Sequence, residues 1–301
     1  MGCINLFDKL KKNSIYLLML LAVIFWSGAF IAGKYSIKEF PPFTLTFLRF
    51  STAFILIFFL MIRFEKNWKI KLKDTPNFIF LGIIGMFAYH VLFFIAIKYT
   101  TVINSSLIGA ALYPLTTTLL AVIFLKDSVS LKKAGFIFIS FIGALLIITE
   151  GNMKLIFRSG INIGDLCMTI AVLCWAVYTI ASKKISLKFP PLVITTYSFL
   201  FCSLFLLPFV LMEKPWVFLN KTSIIGWSSI LYMAIFPSVI GFLIQQISIK
   251  KIGPRRTSMF MFLIPVFSIL LSVLILKEVF HPIKIFSSIL IIIGVYFSSQ
   301  S

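Results

Sequence analysis

Ten runs of 16 to 24 residues with few or no charges dominate this chain, and each is long enough to cross a lipid bilayer. An α-helix rises 1.5 Å per residue, so about 20 such residues span the ~30 Å of hydrocarbon. The runs fall at 15–33, 43–62, 78–97, 103–125, 134–150, 165–182, 192–211, 223–246, 257–276 and 284–299. Lipid offers no water to backbone amides, and segments this long and apolar satisfy them internally only as helices. A β-barrel would show alternating segments of about ten residues, and these are absent. The longest connections, near 63–77 and 151–164, leave no room for a soluble domain. The sequence therefore predicts an all-α integral membrane protein of ten transmembrane helices.

Composition agrees: 60% of the residues are hydrophobic and the mean hydropathy is +1.07, well beyond a soluble domain. A formal charge of +19 would point to nucleic acid in a soluble protein. Here the Lys and Arg residues sit in short gaps between apolar runs and form no continuous basic face, so no nucleic-acid partner is expected. Lys9, Lys11 and Lys12 precede the first run as in a signal peptide, but the run is too long and lacks a cleavage site, so it is read as a span. Met1-Gly2-Cys3 resembles an acylation start, yet Leu6 stands where that signal needs Ser or Thr.

The chain repeats itself. AVIFWSGAFIAGKYSIKEFPP, from Ala22 to Pro42, returns as AVLCWAVYTIASKKISLKFPP, from Ala171 to Pro191, at an offset of 149. Across Leu20–Pro42 nine of 23 positions are identical, including Trp26, Lys34, Phe40, Pro41 and Pro42. A second block, LYPLTTTLLAVIFLKD from Leu112, matches LIPVFSILLSVLILKE from Leu263 at seven of 16 positions, with offset 151. Shared apolar bias does not bring Trp, Lys and Pro into register. The chain thus reads as two homologous five-helix halves, 1–150 and 151–301. Five is odd, so equivalent helices cross in opposite directions, which makes the repeat inverted.

With the amino terminus in the cytoplasm, the inside segments hold 18 Lys and Arg residues and the outside segments nine. Both termini are therefore expected to be cytoplasmic, in the cell membrane. Inverted repeats enclosing a site near the midplane are a recurring construction of secondary transporters, because two related units of opposite orientation can open one site to either side.

Four ordered patterns carry a family resemblance: FWSGAFIAGK from Phe25, FPPFTLTFLRF from Phe40, YTTVINSSLIGAALYPLTTTLLAVIFLKD from Tyr99, and IGPRRTSMFMFLIPVFSILLSVLILKE from Ile252. Together they resemble the drug/metabolite transporter superfamily, in its EamA-like ten-helix branch. The resemblance implies export or exchange of small metabolites, often amino acids or related compounds. One departure stands out: Ser198 occupies the second-half position of Arg49.

Intramembrane polar residues nominate the site. Arg49 lies about six residues, roughly 9 Å, below the outer end of its span. A lipid-facing Arg there is costly, so it faces a cavity, snorkels outward or bonds helix carbonyls. Facing a cavity, its planar fork suits a carboxylate or phosphate. His90, beside Tyr89, is either a satisfied core residue or a group that hydrogen-bonds substrate or carries a proton. Trp26, Trp175 and Tyr178 lie on matched stripes and serve packing or cavity lining. Ser106 and Tyr113 belong to a polar flank of span four with Asn104, Ser105, Gly109 and Thr117. Pro114 and Pro265 match across the halves, each freeing a backbone carbonyl and kinking its helix, which makes them candidate bending points. Lys34 and Lys183 occupy equivalent helix ends, as snorkelling residues or parts of a gate.

All nine acids lie at predicted ends or loops, so no carboxylate suggests itself as a proton carrier. A facilitator, an exchanger, or coupling through His90 is expected. There is no P-loop, no metal-ligand spacing among His90, His281 and the four cysteines, and no catalytic constellation. No cofactor or metal is expected. The expected partners are a small-molecule substrate and the bilayer, and a monomer is an allowed state. A membrane-embedded enzyme or a non-transporting assembly subunit are the competing classes.

Overall fold

The computed structural model describes residues 12–126 and 162–278 continuously, with isolated positions in 135–146 and 283–297. The predicted spans 134–150 and 284–299 thus lie largely outside the described residues. Eight long apolar helices are present: α1 (Lys12–Ser36), α2 (Pro42–Phe64), α3 (Leu72–Tyr99), α4 (Val102–Leu125), α5 (Ile163–Ile185), α6 (Pro191–Met212), α7 (Ile224–Ile252) and α8 (Pro254–Leu276). No strand occurs among the described residues. Helices α1–α4 are the first four predicted spans, and α5–α8 are spans six to nine.

Several helices overrun their sequence-predicted bounds. Helix α3 starts six residues before 78: a 3₁₀ turn at Leu72–Asp74 leads into the α-helix at Thr75-Pro76, whose first amides need no internal partner. Helix α7 continues six residues past 246, because Ser248 and Ile249 are buried in protein rather than set in an interface. Hydropathy marks where lipid ends, not where hydrogen bonding ends.

The repeated Phe-Pro-Pro has a local cause. Pro41 and Pro190 hold nearly the same extended backbone, φ −61° and ψ 155° against φ −63° and ψ 150°. The prolines after them, Pro42 and Pro191, open α2 and α6, where a missing N–H costs nothing. At the far ends of α4 and α8, Lys126 and Lys277 take matching left-handed conformations, φ 58° and 54°, which stop both helices.

The halves interlock. Helix α1 packs against α7 and α8 of the other half, and α5 packs against α3 and α4. Helices α2 and α6 run side by side. Lys34 donates to the carbonyls of Ile97 and Thr100 at 2.5 and 2.7 Å, closing the end of α3. Lys183 does the same to Ile249 and Lys250 of α7, at 3.3 and 3.1 Å. A cation on the last carbonyls of a helix satisfies orphan acceptors and opposes the negative end of its dipole. Both lysines therefore tie the first helix of a half to the third, at opposite ends of the molecule.

Those ends differ. At one, the Glu213 face, acids of one half bind helix starts of the other. Glu213 accepts from the amides of Phe43 and Thr44 at 3.1 and 2.7 Å. Glu278 accepts from Val102 and Ile103 at 3.0 and 3.2 Å. Glu39 accepts from the amide and hydroxyl of Ser223 at 2.7 and 2.6 Å. Buried Asp165 accepts from Thr100 Oγ1 at 2.7 Å. At the other, the Lys188 face, Lys188 pairs with Asp74 at 2.5 Å.

A further matched pair is unusual. Gly82–Ala88 in α3 and Ala234–Phe242 in α7 are both π-helical, at equivalent positions. Each widened turn frees or re-aims backbone groups and shifts the phase of every later side chain, and such turns frequently mark functional sites.

Candidate functional site

Seven helices converge on one cavity holding about 70 Å³ of free space, enough for several waters or a small solute group. Helix α1 contributes Trp26 and Phe30, α2 Arg49, α3 Tyr89, His90 and Phe93, and α4 Ser106 and Tyr113. Across from them stand Trp175 of α5, Phe242 of α7, and Met261 and Ile264 of α8. Arg49, Ser106, Tyr113 and Phe93 lie four to eleven residues from helix ends on the Glu213 face, so the cavity is offset toward that face.

Arg49 is the electrostatic centre. It is 98% buried, and its Nε donates to Ser238 Oγ at 2.8 Å. Ser238 in turn donates its single hydroxyl proton to the Met233 carbonyl at 2.8 Å, within the π segment of α7, so its oxygen is fixed as an acceptor. The guanidinium lies over the rings of Phe50 and Phe242, 5.2 and 5.8 Å from their centroids. Among the described residues no carboxylate pairs with it, and its two terminal nitrogens have no protein partner. A buried cation without an anion is expensive, and quadrupole attraction from two rings offsets only part of that cost.

His90 is aimed by its own helix. Its Nδ1 lies 2.9 Å from the Met86 carbonyl, which can only accept, so Nδ1 carries a proton. That fixes Nε2 as the acceptor of the neutral ring, and it has no protein partner among the described residues. Rings enclose the imidazole: Phe50 and Tyr89 at 4.6 Å, Phe242 at 5.6 Å and Trp175 at 5.8 Å between centroids.

The aromatic wall depends on close backbone approach. Trp26 Nε1 donates to the Pro237 carbonyl at 3.1 Å, and a Cβ on Gly241 would sit 2.9 Å from that nitrogen. Trp175 stacks on Tyr178 and meets Tyr89 at a tilt of 37°, with both ring centroids 4.7 Å away. A Cβ on Gly85 would fall 2.2 Å from the Tyr178 ring, so the π segment of α3 must be bare there.

Of the residues nominated by sequence, Trp26, Arg49, Tyr89, His90, Ser106, Tyr113 and Trp175 share this cavity. Tyr178 does not reach it. It is fully buried behind Trp175, with its hydroxyl accepting from Gln246 Nε2 at 2.6 Å. Pro114 lies within an unbroken α4, whereas Pro265 follows a tightened 3₁₀ turn at Phe260–Phe262. Ala110 and Met261, whose carbonyls these prolines free, both line the cavity. Lys34 and Lys183 lie outside it as helix ties. Sequence reading missed Phe242 and Ser238. The former was findable, because an offset of 152, the one relating Ile97 to Ile249, makes Phe242 the counterpart of His90.

An interlocked pair of inverted helical repeats around a central cavity defines a membrane transporter fold. The model of the EamA-like transporter family matches residues 13–149 and again 162–300, and the chain belongs to that family. It is a multi-pass membrane protein built of two such repeats. It is 36% identical over 294 residues to the uncharacterized transporter YyaM of Bacillus subtilis, covering 96% of this chain and 95% of that one. It is 22% identical over 281 residues to a probable terminal-alkyne amino-acid exporter of Streptantibioticus cattleyicolor, covering 92% and 90%. A solved crystal structure shares the fold with a TM-score of 0.67 and 21% identity, over 96% of this chain and 98% of that one.

Proposed function

We propose that this chain is a secondary transporter that moves a small carboxylate-bearing metabolite, an amino acid or related compound, outward across the cell membrane by alternating access. The observation that carries this reading is Arg49, a buried cation with no carboxylate partner among the described residues and two unpartnered terminal nitrogens beside a cavity. A substrate carboxylate supplies the missing anion in the bidentate geometry a guanidinium favours. His90 Nε2 then accepts from an N–H or O–H of the same molecule, and the rings of Trp26, Phe30, Trp175 and Phe242 receive its apolar part. The amino-acid exporter among the relatives supports the substrate class. The excess of basic residues on the Lys188 face supports a cytoplasmic assignment for that face and for both termini. The lack of a carboxylate within the predicted spans supports a facilitator, an exchanger or coupling through His90.

Thermal unfolding of the purified protein in detergent, across amino acids, organic acids, nucleosides and sugars, tests the reading. A ligand at 100 times its Kd stabilises the folded state by about 2.7 kcal/mol. A shift confined to carboxylate-bearing compounds and absent in Arg49→Gln is expected. An equal shift for nucleosides or sugars, or one that survives Arg49→Gln, would sink the proposal.

A further inference from the structure

A second polar cluster is buried on the other side of Trp175, toward the Lys188 face. Gln245 and Gln246 of α7 are completely buried, and among the described residues neither carboxamide atom of Gln245 has a hydrogen-bond partner. Gln246 donates to Tyr178 and Ser182, while its Oε1 and the buried Thr117 Oγ1 have no partner among the described residues. Gln245 and Thr117 flank the Tyr113 hydroxyl without reaching hydrogen-bond geometry, and Ser198 lies near the Tyr178 hydroxyl.

Packing does not explain this cluster. A carboxamide with four bonding sites and no partner is disfavoured in any interior, and no helix bundle requires a Gln at such a position. The repeat does explain it. By the offsets of 149 and 152, cavity-lining Ala29, Phe30, Arg49 and Phe93 correspond to Tyr178, Thr179, Ser198 and Gln245. Pairs near the pseudo-twofold axis, such as Trp26 with Trp175 and His90 with Phe242, have both members in the cavity. The cluster is thus what the inverted repeat builds in place of the Arg49 side of the cavity, at the opposite face.

We infer that Gln245, Gln246, Tyr178, Thr179 and Ser198 line a second, uncharged pathway, collapsed in this conformation, that takes up water and the neutral hydrogen-bonding groups of a solute when the protein opens to the Lys188 face. Tyr113 is the partition. Its ring lines the cavity, and its hydroxyl lies 2.9 Å from Thr179 Oγ1. Thr179 gives its own proton to the Trp175 carbonyl at 2.8 Å, so Tyr113 is the donor in this contact. Breaking that one bond and turning the ring joins the two chambers. The inference rests on the transport reading but is tested without a cargo.

The test is one-sided labelling of Gln245→Cys in sealed vesicles by a charged, membrane-impermeant methanethiosulfonate, after Cys3, Cys167, Cys174 and Cys202 are changed to Ser. Reaction from the Lys188 face only is expected, with Thr179→Cys behaving alike. Silence from both faces, or reaction from the Glu213 face, overturns the inference. Gln245→Leu separates a structural role from a pathway role. Its melting temperature should hold or rise, because an unpartnered amide is removed, and a clear fall overturns the inference. Labelling from the Lys188 face in a protein that moves no carboxylate would uphold the pathway and defeat the transport reading, so the two fail separately.

Discussion

At the scale of single residues, the cavity follows a division of labour between one fixed charge and many rings. Arg49 is held by Ser238 through Nε alone, which leaves the terminal nitrogens for a ligand. A charge-assisted hydrogen bond contributes about 1.5–3 kcal/mol, so Arg49→Ala should weaken binding of a carboxylate ligand by about 10- to 100-fold, read by calorimetric titration. Ser238→Ala should change that affinity less, because it frees Nε without removing the charge. His90→Phe should keep the melting temperature within a few degrees, since rings already surround the site, while lowering affinity for ligands with an N–H or O–H beside the carboxylate. Intramembrane charge was the signal that found Arg49 and His90. Rotational setting was not legible. Tyr178 shares a stripe with Trp175 in sequence, yet three residues along a helix turn it 60° away from that neighbour, behind rather than into the cavity.

At the scale of elements, the helices and their caps were readable because each has a local cause: Pro-Pro starts, matched lysine ends, and runs the length of a bilayer. The π segments were not. An i→i+5 turn arises when tertiary packing outweighs the regular ladder, as Gly85 against Tyr178 and Trp26 against Pro237 do here. Nothing in local propensity announces it, and it throws off any count by 3.6 across Gly82–Ala88 or Ala234–Phe242. Gly85→Ala places a methyl inside the Tyr178 ring and should lower the melting temperature markedly, whereas Ala at exposed Gly135, which has open space around it, should not. Glu39, Glu213 and Glu278, expected at helix ends or in loops, cap helices of the opposite half. Glu213→Gln gives up the charge on the start of α2 and turns an amide NH2 against the N–H of Phe43 or Thr44. It should cost about 1–3 kcal/mol in unfolding experiments, and the part owed to the dipole should shrink as salt screens it.

At the scale of the whole molecule, the duplicated architecture was legible from five prominent residues in register, because Trp, Lys and Pro do not recur by apolar bias. The interlocking of α1 with α7 and α8, and of α5 with α3 and α4, was not, since it is a property of two surfaces meeting rather than of either sequence. The repeat is imperfect at several cavity positions, and the one that removes a fixed charge is Arg49 against Ser198. Had the halves been identical, exchanging their conformations would return the same molecule turned over, and it would grip its cargo equally from either side. One guanidinium abolishes that equivalence. Detailed balance forbids a passive carrier from pumping, so tight binding at one mouth must be matched by proportionately slower turnover from it, with Vmax/KM equal in both directions. Orientation-resolved flux in proteoliposomes should therefore give half-saturation concentrations that differ by about tenfold or more between the faces, and Arg49→Ser should bring them together. One fixed charge on one side of the seam is enough to give a carrier built from inverted repeats a preferred end.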